Sequence, residues 1–177
     1  MRGLVIDRFA GAGIRLSAGG GNTIQGNFIG TDLTGTLAMG NGTGVEINGS
    51  ANNLIGGTDP GAGNLISGSS GGTAGIYIPG GASGNRVEGN LIGTDVTGTL
   101  KLGNAGSGVI VWGPNNTIGG TEPGAGNVIG GSGTWGIWMV YGGGSRVQGN
   151  FIGTDTSGSL NLGNSAAGVY IWLSANN

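Results

Sequence analysis

Apolar residues fall along this chain in short clusters at alternate positions, and glycine and asparagine set each cluster off from the next. Gly13-Ile14-Arg15-Leu16 is followed by Gly44-Val45-Glu46-Ile47, Gly75-Ile76-Tyr77-Ile78 and Gly108-Val109-Ile110-Val111, then by Gly136-Ile137-Trp138-Met139 and Gly168-Val169-Tyr170-Ile171. The spacing is 28 to 33 residues. Alternation of period two marks a strand that sends one side chain inward and the next outward. A second strand type centres on Ile24, Ile55, Val87, Ile118 and Val147, and a third on Ile29, Ile66, Ile92, Ile129 and Ile152. Three strand types in fixed rotation predict a coil of three parallel sheets, with about six rungs stacked at the ~4.8 Å strand spacing. The inward columns are Ile, Val, Leu and Met, which can stack like on like.

The chain also repeats at longer range. Gly26-Asn27-Phe28-Ile29-Gly30-Thr31-Asp32 returns as Gly89-Asn90-Leu91-Ile92-Gly93-Thr94-Asp95 and as Gly149-Asn150-Phe151-Ile152-Gly153-Thr154-Asp155. Ile55-Gly56-Gly57-Thr58-Asp59-Pro60-Gly61-Ala62-Gly63-Asn64 matches the run from Ile118 to Asn127. A fixed period of this kind marks a solenoid, whose units bury their apolar faces only against one another. Asp59-Pro60-Gly61 and Glu122-Pro123-Gly124 carry the residues of a type II turn. Asn27, Asn64, Asn90, Asn127 and Asn150 recur just before the third strand, where stacked amides can form a ladder.

Alternate rungs carry an extra loop, Thr31 to Asn41, Thr94 to Asn104 and Thr154 to Asn164, with Leu37, Leu100 and Leu160 in register. The outward residues of the third strand (Phe28, Leu65, Leu91, Val128, Phe151) are apolar. These loops are therefore expected to fold back over that sheet. Phe9 reads as a partial plug at the N-terminal end. Residues 1–177 are expected to form one β-helix domain, cut from a longer solenoid.

Composition narrows the function more than the fold. Glycine contributes 47 residues, but proline contributes only 4 and no G-X-Y period exists, so the chain is not collagen-like. The net charge is −2 and the 6 basic residues are scattered, which argues against a nucleic-acid partner. With no cysteine and no histidine there can be no disulfide, thiolate nucleophile or imidazole base. No apolar run approaches the ~18 residues of a membrane span.

Taken together, the repeats of the form GNxIGTDxTGT and IGGTxPGAGN resemble those of large secreted or surface bacterial proteins. The pattern as a whole resembles the right-handed parallel β-helix of the pectate-lyase-like superfamily. The resemblance covers nearly the whole chain. It implies an all-β, right-handed, single-stranded parallel β-helix and an extracellular or cell-surface location. It says little about activity, because proteins of this type range from polysaccharide lyases to non-catalytic stalks.

Candidate chemistry is sparse. Asp32, Asp95 and Asp155 occupy one repeated position two rungs apart, about 10 Å by strand spacing. That is too far to share one calcium, and three equivalent copies point to turn capping rather than to a catalytic pair. They are weak metal candidates, and no cofactor is expected beyond a possible calcium. The resemblance would imply clustered acids with a basic residue at a lyase site; the chain has no such cluster, and no catalytic residue is assigned.

The sharper signal lies on the outer face of the first sheet. Arg15 and Glu46 are placed to pair across strands, and beyond them the face turns aromatic and apolar: Tyr77, Ile110, Trp112, Trp138, Val140, Tyr170 and Trp172. An exposed contiguous apolar strip marks an interface or a ligand groove. Three readings follow. The first is a non-catalytic structural segment that binds a partner through this strip, or self-associates through the strip or through the open ends of the coil, where unpaired strand edges invite stacking. The second is a carbohydrate-binding module or a degenerate polysaccharide lyase or hydrolase. The third is ice binding, which needs a regular hydroxyl column; Leu54, Arg86 and Arg146 interrupt the column that Thr23 and Thr117 would start.

Overall fold

The computed structural model describes residues 1–177 and is all-β, without a helix. Three parallel sheets wind into a solenoid. The first sheet takes Ala12–Ser17, Thr43–Asn48, Ala74–Ile78, Ser107–Val111, Ile137–Val140 and Val169–Trp172. The second takes Thr23–Ile24, Leu54–Gly56, Arg86–Glu88, Thr117–Gly119 and Arg146–Gln148. The third takes Val5–Ile6, Phe28–Ile29, Leu65–Ile66, Leu91–Ile92, Val128–Ile129 and Phe151–Ile152. This makes about five turns of three strands, preceded by Val5–Ile6 and followed by Val169–Trp172, close to the expected count of about six rungs. No helix is long and apolar enough to cross a membrane.

Register follows the apolar columns. Ile14 pairs with Val45, Val45 with Ile76, Ile76 with Val109, Val109 with Ile137 and Ile137 with Val169. A slip of one residue would turn every inward side chain outward, so burial of one face pins the pairing. The core is a cluster of 18 buried residues, nearly all Ile and Val, drawn from all three sheets. β-Branched side chains suit such a stack because their χ1 is already restricted and they pack well on a pleated surface.

The bends stack as well as the strands. Of 92 backbone–backbone hydrogen bonds, 60 lie outside the regular strand ladders, so the corners are joined to their neighbours much as the sheets are. Both Pro-Gly corners are type II turns: Ala62 N–H donates to Asp59 C=O and Ala125 N–H to Glu122 C=O, with Gly61 at φ +73 and Gly124 at φ +82. Gly56 shows why glycine holds other corners. Its φ is +90, and a Cβ there would stand 1.9 Å from the Glu88 carbonyl oxygen of the next rung.

The asparagine ladder expected before the third strand is present and continuous. Asn27 Nδ2 donates to Asn64 Oδ1 at 2.9 Å, Asn64 to Asn90 at 2.9 Å, Asn90 to Asn127 at 2.9 Å and Asn127 to Asn150 at 2.8 Å. The same Oδ1 atoms accept the backbone N–H of the preceding rung's asparagine. A second ladder runs Asn22, Asn53, Asn85 and Asn116, with Asn116 N–H donating to Ser145 Oγ. At a third corner Asn41, Asn104 and Asn164 each accept a backbone N–H, from Phe9, Ser69 and Ser132. These amides satisfy buried backbone groups that a tight corner would otherwise orphan.

The extra loops fold over the third sheet as expected. Leu65 and Val128 on its outer face are buried. A Cβ on Gly35 would fall within 3.2 Å of Phe28, Leu65 and Val96 atoms, and Val96 N–H donates to Gly35 C=O, so successive loops also touch. The in-register leucines do not take part in that cover. Leu37, Leu100 and Leu160 point outward and are exposed, while Leu162 is buried. Phe9 is 56% exposed and does not plug the N-terminal end.

Replacing a mid-ladder amide should unfold the stack from within. Asn90→Ala removes the acceptor of Asn64 and the donor to the Ile55 and Glu88 carbonyls. At ~1–3 kcal/mol for each buried group left unpaired, urea denaturation should show a loss of about 3 kcal/mol or more. Asn150→Ala, at the partly exposed end of the ladder, should cost clearly less.

Candidate functional site

The repeated aspartates organise turns. Asp32 Oδ1 accepts the backbone N–H groups of Thr36 and Leu37, both at 3.0 Å, and its Oδ2 accepts the Thr34 hydroxyl at 2.6 Å. Asp95 repeats this with Thr99, Leu100 and Thr97, and Asp155 with Ser159, Leu160 and Ser157. Each carboxylate therefore closes its own loop, and antiparallel bridges Thr31–Ala38 and Thr94–Lys101 complete the first two. No group of three or more Asp, Glu, His or Cys side chains gathers anywhere in the molecule.

These bonds favour the ionised carboxylate. The Thr34 hydroxyl and the Leu37 N–H hold Asp32 down at about 2, against an ordinary value of 3.8. The Ser157 hydroxyl and the Leu160 N–H lower Asp155 further. At Asp95 burial pushes the pKa up, but the Thr97 hydroxyl and the Leu100 and Thr99 N–H groups together outweigh it, and the net shift is downward.

The outer face of the first sheet holds the other candidate constellation, and the expected residues divide there into two roles. Ile110, at 5% exposure, and Val140, at 1%, are buried, so neither belongs to an exposed strip. Ile110 lies among the rings of Tyr77, Trp112, Trp135 and Trp138. Tyr77 meets Trp112 edge to face, with centroids 5.6 Å apart, and Trp112 meets Trp138 likewise at 6.4 Å. Tyr170 stacks on Trp138, and Trp172 packs against Tyr141. Edge-to-face and offset arrangements are those the ring quadrupole favours. The face is therefore a packed aromatic relief and not the flat strip expected from alternation.

Two rings were not foreseen, Tyr141, which follows Val140 and packs against Trp172, and Trp135. Trp135 lies in the bend before Ile137–Val140, outside the alternation that marks strand residues, yet it tilts against Trp138 at 4.6 Å and stacks on Tyr170 at 5.3 Å. Its proximity to Trp138, three residues on in sequence, was the available signal.

Between these rings lies a cleft of about 410 Å³, within the ~300–1,000 Å³ of small-molecule sites. Ile110 contributes to it together with Tyr77, Trp112, Trp135 and Trp138, and Thr73, Ser107 and Thr134 supply hydroxyls. Ser107 Oγ and Thr134 Oγ1 are 3.0 Å apart. The Trp138 indole N–H is buried and has no acceptor. A second depression of about 320 Å³ shares Thr73 and Tyr77 with the first and continues over earlier rungs to Arg15 and Glu46. Those two form the cross-strand pair expected, Arg15 Nη2 to Glu46 Oε2 at 2.7 Å. Burial and the nearby Glu46 carboxylate raise the Tyr77 phenol, which stays protonated at neutral pH.

Comparisons with family models, curated proteins and solved structures find no match to this chain.

The turn carboxylates fix the sign of an acid response. Their folded pKa values lie below the unfolded ones, so their contribution is present above about pH 4 and is lost as pH falls toward 2. The melting temperature should drop across that window. A triple variant, Asp32→Asn/Asp95→Asn/Asp155→Asn, should melt lower at pH 7 and lose less on acidification; an equal acid response in the variant would show that other groups set it.

Proposed function

We propose that this chain is a non-catalytic structural and interaction segment of a β-solenoid protein, and that its aromatic first-sheet face is the contact surface. One observation carries this reading. In the middle of the third sheet the outer residues Leu65 and Val128 are buried under loops, whereas the first sheet gathers four tryptophans and three tyrosines on an outer face that no loop covers. Aromatic residues grouped on a surface are the usual anchors of binding. The side-chain inventory agrees: there is no histidine or cysteine, and the recurring aspartates are consumed by their own turns.

The repeat pattern's resemblance to surface β-helix proteins of the pectate-lyase-like type supports an extracellular or cell-surface setting, with the coil acting as a rigid spacer. No cofactor is needed for this role. Self-association and a bound partner are both compatible with the face. A carbohydrate ligand is the second reading, and the cleft beside Ile110 favours it over a flat protein contact.

Incubation with a panel of neutral and acidic polysaccharides should release no new reducing ends or unsaturated products above a heat-unfolded control. In parallel, light-scattering chromatography should compare the chain with Trp112→Ser/Trp172→Ser. A dimer that the substitutions make monomeric assigns the face to self-association; a monomer in both leaves it free for a ligand. Sustained bond cleavage would overturn the non-catalytic reading.

A further inference from the structure

Two adjoining depressions groove the outer face of the first sheet. They share Thr73 and Tyr77, and together they run from Arg15 on the first strand of the sheet to Trp138 on its fifth. Four strand spacings make this about 19 Å along the coil axis. We infer that this groove binds a neutral oligosaccharide, lying along the axis, with its sugar rings on Trp112 and its neighbours. The inference rests on the reading of this face as a contact surface.

The chemistry of the lining selects the ligand. A pyranose ring has an apolar C–H face and a rim of hydroxyls. Its slightly positive hydrogens are drawn to the negative face of an aromatic ring, and its hydroxyls need partners that both donate and accept. The groove supplies both kinds of surface side by side. Tyr77, Trp112, Trp135 and Trp138 present rings, and Thr73, Ser107 and Thr134 present hydroxyls.

Charge then separates neutral from acidic glycans. The groove holds one cation, Arg15, and one anion, Glu46, and they are bonded to each other at 2.7 Å. No free guanidinium or ammonium lines it to meet a row of uronate carboxylates. No acidic cluster is present to hold a bridging metal. A polyuronate would bring uncompensated negative charge past Glu46. A neutral chain meets no such penalty, and the Arg15–Glu46 pair can exchange hydrogen bonds with its hydroxyls.

The test is isothermal titration, with tryptophan emission followed in parallel, against cellohexaose, xylohexaose, mannohexaose, laminarihexaose and polygalacturonate. At least one neutral hexasaccharide should bind and change the emission, and polygalacturonate should not bind. Trp112→Ala should weaken binding about tenfold or more, while Trp112→Phe, which keeps a ring face, should retain most of it. The melting temperature of both variants confirms that they are folded. Absence of binding by every neutral hexasaccharide, tighter binding of polygalacturonate, or undiminished binding by folded Trp112→Ala would each overturn the inference. If no glycan binds but the chain self-associates through this face, the ligand assignment alone falls and the contact-surface reading stands.

Discussion

The constraint on which this structure depends is that each rung must offer the next one the same polar group at the same corner. A tight corner turns backbone N–H and C=O groups away from their own strand, and burial forbids water from serving them. Asparagine meets the requirement because one side chain carries both an acceptor and two donors. Its Oδ1 takes a backbone N–H and an amide from the rung before it, and its Nδ2 reaches the next amide and a backbone carbonyl. The apolar columns cannot do this; they fix which face is inside, and the amide columns fix how rung sits on rung.

Once the interior is specified in this way, the outer surface is free to vary. The three sheets use that freedom differently. The third is roofed by loops that each close on one aspartate. The second alternates threonine, leucine and arginine in its outward column. The first begins with an ion pair and becomes aromatic within three strands. A regular scaffold with one irregular face is what a display function requires, since the rigid coil sets the spacing of the rings and the rings set the chemistry.

Most of the fold was legible in the sequence because a solenoid writes its contacts as periodicity. Ile55 and Ile118 recur at equivalent places because they occupy one column, and the Pro-Gly corners were readable from two residues each. The Asn22–Asn53–Asn85–Asn116 ladder was just as periodic but escaped notice beside the more conspicuous Gly-Asn repeat. The outer face was less legible for a physical reason. Alternation tells which side of a strand a residue occupies, not what covers it there. Ile110 and Val140 lie on the outward side and are still buried, Ile110 among the rings of Tyr77, Trp112, Trp135 and Trp138. Trp135 was missed because a bend residue has no period, and the register of Leu37, Leu100 and Leu160 did not tell which way they point, because a closed loop obeys its own hydrogen bonds and not the strand alternation.

The central claim, that side-chain amides hold the rungs together as backbone ladders do, is tested most directly by hydrogen exchange resolved to single amides. The backbone N–H groups of Asn64 and Asn90 donate only to side-chain oxygens of the next rung. They should exchange as slowly as those of Leu91 and Gly93, which donate to backbone carbonyls. Exchange of Asn64 and Asn90 at the rate of exposed loop amides, while Leu91 and Gly93 stay protected, would contradict the account and leave the apolar columns and the backbone ladders as the support of the coil.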